Sequence, residues 1–205
     1  MLELQFIDSI HRVAADEWNA IAGDDYPFLQ HTFLAALEDS GATTAETGWL
    51  PQHLVIREGG VLCGLLPLYI KSHSYGEYVF DWAWADAYRR HGLEYYPKLL
   101  SAIPFTPATG PRLCLRDDLE ADALFSVVVE QLQRRAEQLG ASSAHILFPD
   151  VNDAERWQRA GLLQRVGPQY HWFNRGYQSF DDFLATFSSR KRKNLRKERR
   201  TVADQ

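Results

Sequence analysis

The sequence predicts an α/β domain with a mostly antiparallel central sheet flanked by helices. Three features predict it. Two helical segments lie near the N-terminus, a run of extended segments joined by a glycine pair fills the middle, and a long amphipathic helix leads into a short apolar strand.

Taken in order, LELQFI (2–7) alternates as a strand does. Residues 15–22 read as a helix stopped by Gly23, and HTFLAALEDSG as a second helix closed by Gly41. QHLVIRE (52–58) and VLCGLLPLYIK (61–71) are extended runs separated by Gly59-Gly60, the spacing of a tight hairpin. EYVFDW (77–82) reads as a further strand and ADAYRRHG as a short helix. Pro97, Pro104, Pro107 and Pro111 then argue for an irregular stretch. The longest helix runs from about Leu119 to Leu139, with Leu124, Val127, Val128 and Leu132 on one side and Gly140 as its stop. AHILF (144–148) has the composition of a strand buried on both faces. A helix over about 153–160 ends at Gly161, and LLQRV and QYHWFN read as a final strand pair. Ser179 with Asp182 is the start of a capping box, followed by a Phe180, Phe183, Leu184, Phe187 stripe. This order is that of an acetyltransferase-like (GNAT-type) domain, an analogy of fold that does not establish a function.

Composition narrows the class. With 205 residues, 45% hydrophobic and 24% charged, the chain can bury a full core, which excludes disorder, collagen and a disulfide-stapled miniprotein. No apolar run approaches the roughly 18 residues of a membrane span, and the N-terminus does not read as a secretory signal. Cys63 and Cys114 lie in apolar contexts and read as buried, reduced thiols, which suits a cytoplasmic protein. The net charge of −5 conceals an asymmetry: residues 188–200 carry eight Lys or Arg against one Glu, leaving 14 basic and 26 acidic residues elsewhere. Arg192, Arg196 and Arg199 recur at helical spacing, so one face can present several guanidinium groups to phosphates. A solvated helix balancing an acidic body is the competing reading. Leu195 and Val202 are too few apolar residues for membrane insertion.

The densest concentration of chemistry is residues 71–92, KSHSYGEYVFDWAWADAYRRHG, where large rings interleave with Lys71, His73, Glu77, Asp81 and Asp86. Rings for shape and a few polar groups for orientation are what a binding pocket needs. A half-exposed sheet with cross-strand aromatic pairs would give a similar composition. Tyr95, Tyr96 and Lys98, with the proline-rich loop after them, extend the pattern as a rim. Nucleophile-elbow, phosphate-loop and paired-cysteine motifs are absent, and the seven histidines are scattered singly, which argues against a metal site.

Together, HTFLAALEDSG, GWLPQHL, PLYIKSHSYGEYVFDWAWADAY, YYPKLL, PFTPATGPRL, QYHWFNRGY and SFDDFLATFSSRKRKNLRKERR resemble the bacterial FemAB-like N-acyltransferases, relatives of enzymes that add amino acids to peptidoglycan precursors. The likeness runs from about residue 30 to 203 and ends in an R-x-x-x-x-[IL]-R-K element at Arg190–Lys197. It implies two tandem acetyltransferase-like domains, an amine acceptor in the cleft between them, and acyl-CoA or aminoacyl-tRNA as donor, so that tRNA and the chain's own second domain become expected partners. On this reading residues 1–178 are the N-terminal domain, and 179–205 are a linker and basic helix leading to a second domain not contained in these 205 residues. The isolated chain is then expected to be inactive and to bind no cofactor. The usual coenzyme A loop is missing; Gln158-Arg159-Ala160-Gly161-Leu162-Leu163 comes nearest but ends in Leu. Lys193, Arg196 and Lys197 carry over as ligands of a phosphate-bearing substrate, and Arg192 joins them by its helical spacing. Lys71, Tyr75, Trp82, Tyr95, Tyr96 and Lys98 are expected to bind substrate. Glu77, Asp81 or His73 is expected to orient or deprotonate the acceptor amine. The alternative function is a binding module without catalysis, gripping RNA or another phosphate-rich ligand with the basic helix.

Overall fold

Alternate residues of one central strand explain the layering of the first 164 residues. In a computed structural model describing residues 1–204, the strand His53–Glu58 sends Leu54 and Ile56 to one face of its sheet and Val55 to the other. Both faces are covered, so the strand reads as an apolar run rather than an alternating one.

The chain forms β1 (Leu2–Ile7), α1 (Ala15–Ala22), α2 (His31–Asp39), β2 (Trp49–Pro51), β3 (His53–Glu58), β4 (Val61–Leu66) and β5 (Tyr69–Lys71). There follow α3 (Trp82–Arg90), β6 (Lys98–Ser101), β7 (Cys114–Leu115), α4 (Ala121–Leu139), β8 (Ala144–Ile146) and α5 (Val151–Arg159). One sheet has the order β1-β3-β4-β7, antiparallel throughout. The other has the order β2-β5-β6-β8, antiparallel except that β8 pairs parallel to β6. On one face of the first sheet α4 buries Phe125, Val128 and Leu132 against Leu54, Ile56 and Leu66. On the other, Trp18 of α1 and Leu34 of α2 pack with Val55 and Leu65. The expected hairpin is present, with both glycines of its turn at positive φ (56° and 86°) as the turn demands.

The sheets part at Gln52 and Pro67. Leu68, just past the proline, donates its N–H to Nδ1 of His53 at 3.2 Å rather than to a strand. That bond leaves the proton of neutral His53 on Nε2, which donates to Glu38 Oε1 at 3.2 Å. Ser9 Oγ and the Ile10 N–H donate to the same carboxylate at 2.6 and 2.9 Å. Burial pushes the Glu38 pKa up, but these donors outweigh it and the net shift is down.

Three expectations fail before residue 150. EYVFDW is not a strand: residues 77–81 are irregular and α3 begins at Trp82. The proline-rich stretch contains a strand, β6, whose four residues are all buried. AHILF forms a three-residue strand that is half-buried, because β8 lies at a sheet edge. Cys63 and Cys114 are buried free thiols, as expected. Among the described residues no helix is long and apolar enough to cross a membrane.

Contacts set residues 165–205 apart as a second unit; Gln205, the last residue of the expected linker segment, lies outside the described residues. Residues 165–178 form neither helix nor strand, so the expected pair LLQRV and QYHWFN is absent. These segments lack a neighbouring strand to complete their backbone hydrogen bonds. Ser179 and Asp182 close the expected capping box at the start of α6 (Phe180–Ala185). The basic segment is α7 (Ser189–Ala203).

Candidate active site

Trp49, Lys71 and Lys98 are directly opposite one another across β2, β5 and β6. Two like charges facing each other across a ladder repel. Both lysines are also buried, at 0% and 1% exposure, so each ammonium needs compensation from within the fold. The segment after β5 provides it. Lys98 Nζ donates to Glu77 Oε2 at 2.9 Å, to Asp81 Oδ2 at 2.6 Å and to Ser74 Oγ at 3.0 Å. Tyr95 Oη donates to the same Asp81 oxygen at 2.7 Å, and Ser74 Oγ and Tyr96 Oη share a 2.7 Å hydrogen bond. Lys71 Nζ donates to the Tyr75 carbonyl at 3.2 Å and lies 3.8 Å from the ring centroid of Trp49.

The segment is inside out. Ser74, Glu77 and Asp81 point inward and are buried, whereas Tyr75, Tyr78, Phe80, Trp82 and Trp84 are 45–77% exposed. Tyr78 has φ 59°, a left-handed conformation that is costly for an aromatic residue and collects at functional sites. Phe105, at φ 58°, donates its N–H to the Gly76 carbonyl at 3.1 Å, joining this segment to the proline-rich loop. Tyr75 meets His73 edge-on and Trp82 at a tilt, with ring centroids 5.2 Å apart in both pairs. Gly48 is required where His73 comes to rest: at φ 71°, a Cβ there would meet the imidazole at 2.4 Å.

Burial separates the titration of these groups. It pulls Lys71 down to about 7 and pushes Glu77 up against the pull of Lys98. Asp81 is also pushed up by burial, but the donors on its Oδ2 outweigh this and hold it low. Burial and nearby Lys71 lower His73, so its ring is neutral near pH 7. Its Nδ1 accepts the Tyr75 N–H at 3.2 Å, which leaves the proton on Nε2. Two acceptors remain unused: Glu77 Oε1 and Asp81 Oδ1 are buried without a hydrogen-bond partner. Among the described residues no group of His, Cys, Asp and Glu is placed to hold a metal.

The expected residues Glu77, Asp81, Tyr95, Tyr96 and Lys98 are thus joined in one hydrogen-bonded network through Ser74, and Lys71, His73 and Tyr75 in an adjoining one through the Tyr75 backbone, with Trp82 against the Tyr75 ring. Ser74 and Trp49 complete them and were not anticipated; Trp49 Nε1 also donates to the Tyr75 carbonyl, at 3.2 Å. Only the register Trp49↔Lys71↔Lys98, a long-range pairing, reveals their place.

Arg192, Lys193, Arg196 and Lys197 belong to the second unit. Lys193, Arg196 and Lys197 are exposed on α7 and Arg192 is half-buried. Arg196 pairs with Asp181 at 3.1 Å, and Arg199 lies 4.2 Å from the Phe180 ring centroid. Within this unit Trp172, Tyr177, Phe180 and Phe183 line a cleft of about 500 Å3.

The family model described as FemAB-like, peptidoglycan biosynthesis/recognition, matches residues 9–205. Solved structures with the same fold include a ribosomal-protein-alanine N-acetyltransferase from Brucella melitensis biovar Abortus 2308. It has TM-score 0.52 and 12% identity over 85% of this chain and 100% of that chain. The aminoglycoside N-acetyltransferase AAC(6')-Iy in complex with CoA gives TM-score 0.51 and 11% identity over 85% and 95%. At such identities the likeness is one of fold. No curated protein sequence matches the chain.

Proposed function

The chain belongs to the FemAB-like family of peptidoglycan biosynthesis and recognition, and from that premise we propose that it transfers an acyl or aminoacyl group to an amine. The acceptor amine is carried by a peptidoglycan precursor or another cell-envelope metabolite. One observation carries the assignment of the site. Beneath a surface of exposed rings, Glu77 Oε1 and Asp81 Oδ1 are buried acceptors with nothing to accept. An unpaired buried acceptor costs about 1–3 kcal/mol, which the N–H groups of an ammonium would relieve.

The chemistry follows from that placement. The amine nitrogen attacks the donor carbonyl, a C–N bond forms, and the C–S or C–O bond to the leaving group breaks. The amine must first lose a proton, and Glu77, whose pKa burial raises, takes it; the second proton leaves the nitrogen after attack and passes to the departing sulfur or oxygen. Asp81, held ionised, orients the ammonium, and His73 offers its Nε2–H to the oxyanion. Lys98 and Tyr95 fix the carboxylates, Tyr96 holds Ser74 beside Lys98, and Lys71 holds the Tyr75 carbonyl, while Tyr75 and Trp82 bind the body of the acceptor. The donor is an acyl-CoA or an aminoacyl-tRNA. CoA bound to a protein of the same fold supports the first, and Arg192, Lys193, Arg196 and Lys197 suit the phosphates of either.

The test is to incubate the full-length protein with acetyl-CoA, and separately with aminoacyl-tRNA, together with a peptidoglycan stem peptide bearing a free side-chain amine. A mass increase of one acyl or aminoacyl group on the peptide is expected. The aromatic cleft and basic helix of the second unit favour one other reading, nucleic-acid binding without catalysis. No transfer from either donor, together with RNA binding that weakens steeply as salt rises, would replace the first reading with the second.

A further inference from the structure

A second polar cleft, of about 560 Å3, opens beside β1 and shares no residue with the Lys71–Lys98 cluster. Phe6, Asp8, Arg12, Gln52, Arg57 and Arg135 are among its lining residues. Its volume falls within the roughly 300–1,000 Å3 of small-molecule clefts.

The three arginines are not equivalent. Arg57 is taken up by Glu17 Oε1 and Oε2 and by the Gly60 carbonyl. Arg12 is paired with Asp8 at 3.1 Å, but this pair is two-thirds exposed and weak. Arg135 has no carboxylate within 4.0 Å among the described residues, so its charge is not neutralised by the fold. It is nevertheless held in place. Nε and Nη2 both donate to Gln52 Oε1, the former at 2.9 Å, and Nη1 donates to Gln138 Oε1 at 3.3 Å. Its Cζ lies 5.2 Å from the Phe6 ring centroid. Gln52 is itself fixed: it is 7% exposed, its N–H donates to Leu68 O at 2.8 Å and its Nε2 to Pro51 O at 3.3 Å.

A guanidinium has five N–H groups. Three are used here, which leaves one hydrogen on each terminal nitrogen, the fork that grips a carboxylate or phosphate through two parallel bonds. Neutral amides orient Arg135 and leave its charge uncompensated.

We propose that this cleft is a recognition site for the anionic end group, carboxylate or phosphate, of a small ligand, with Arg135 as the bidentate anchor and Arg12 as an auxiliary charge. Asp8 opposes an anion, and the ligand displaces it from Arg12. The site is independent of the transfer chemistry proposed above.

Titration of the 15N-labelled protein with inorganic phosphate, and separately with N-acetylglycine, tests this. Saturable shifts at residues around β1, Gln52 and Arg135, distinct from any on α7, are expected at concentrations up to about 10 mM. Response to phosphate alone identifies a phosphate ligand, and response to N-acetylglycine alone identifies a carboxylate. Arg135→Gln should weaken binding at least about tenfold, and Arg135→Lys nearly as much, since lysine keeps the charge and loses the fork. Arg134→Gln, on the neighbouring exposed position, should leave it unchanged. Should Arg135→Gln not fold, Arg12→Gln on the surface should still weaken binding. No saturable shift with either probe, or equal losses in Arg134→Gln and Arg135→Gln, overturns the proposal.

Discussion

Lys98 Nζ sits 2.6 Å from Asp81 Oδ2, and neither side chain is more than 2% exposed. With Glu77 2.9 Å away, one ammonium serves two carboxylates in a space that water does not reach. Lys98→Met, close in volume but uncharged, should therefore cost about 3–5 kcal/mol, because both acids would remain buried without their cation. The loss depends on pH in a set direction. In the variant the folded-state carboxyl pKa values rise above their unfolded values, so stability is fullest at low pH and is lost as pH rises through the folded values. Urea midpoints at about pH 4.5 and 7.5 check this; equal losses at both would mean that the lysine contributes packing rather than charge.

That cluster also marks the limit of what its sequence discloses. The hairpin at Gly59-Gly60, the long helix stopped by Gly140 and the capping box at Ser179 each depend on local chemistry, and each is legible in a few adjacent residues. EYVFDW misled because its alternation is real but inverted, with Glu77 and Asp81 inside and Tyr78 and Phe80 outside. Period-two reasoning assumes that the apolar set is the buried one. The pattern reverses because Lys71 and Lys98 are already interior and call the acids inward. Lys98 was legible as a site residue, while its strand was hidden among prolines. Ser74, Gln52 and Trp49 carried no signal, since each acts through a partner far away in sequence.

Glu77→Gln and Asp81→Asn should each lower acyl-transfer turnover at least about tenfold, the lower part of the general acid–base range. The two should differ in their pH profiles. Glu77→Gln removes the group that takes the proton, so the acid limb of kcat/KM should flatten. Asp81→Asn should lower kcat/KM and leave that limb in place. Turnover unaffected by both substitutions would remove these residues from the mechanism.

Burial brings Lys71 from its usual value down to about 7. Between about pH 7 and 10 the unfolded chain therefore binds more protons at this site than the folded one, and stability from this group rises with pH across that window. Below about pH 7 the penalty of a buried ammonium is fully present. Glu77 acts in the opposite sense at lower pH, since its raised pKa removes stability as pH climbs above the ordinary carboxylate value. Lys71→Met should thus stabilise the protein most near pH 6–7 and flatten the rise toward pH 10. The Tyr75 carbonyl keeps a donor in the variant, Trp49 Nε1. An unchanged slope in urea midpoints across that range would show that the ammonium is not desolvated.

Arg112 fixes the loop that borders the cluster. It is fully buried, and it donates to the carbonyls of Leu147 at 3.0 Å, Gly110 at 3.1 Å, Pro111 at 2.8 Å and Ala108 at 2.6 Å. Its guanidinium thus supplements the parallel bridge between Gly110 and Pro149 as a partner for this backbone. Gly110 lets the loop approach Tyr26, since a Cβ there would meet that ring at 2.5 Å. A lysine in place of Arg112 keeps the charge but has one nitrogen, which cannot reach carbonyls spread around a planar fork. Arg112→Lys should cost about 2–4 kcal/mol, the sum of a few lost charge-assisted bonds and the carbonyls left buried. Hydrogen exchange at Phe105, whose N–H meets the Gly76 carbonyl, should speed up by more than the global loss requires, because that bond depends on the loop's position. Exchange at Phe105 that tracks global stability alone would mean that the Gly76–Phe105 contact holds without Arg112.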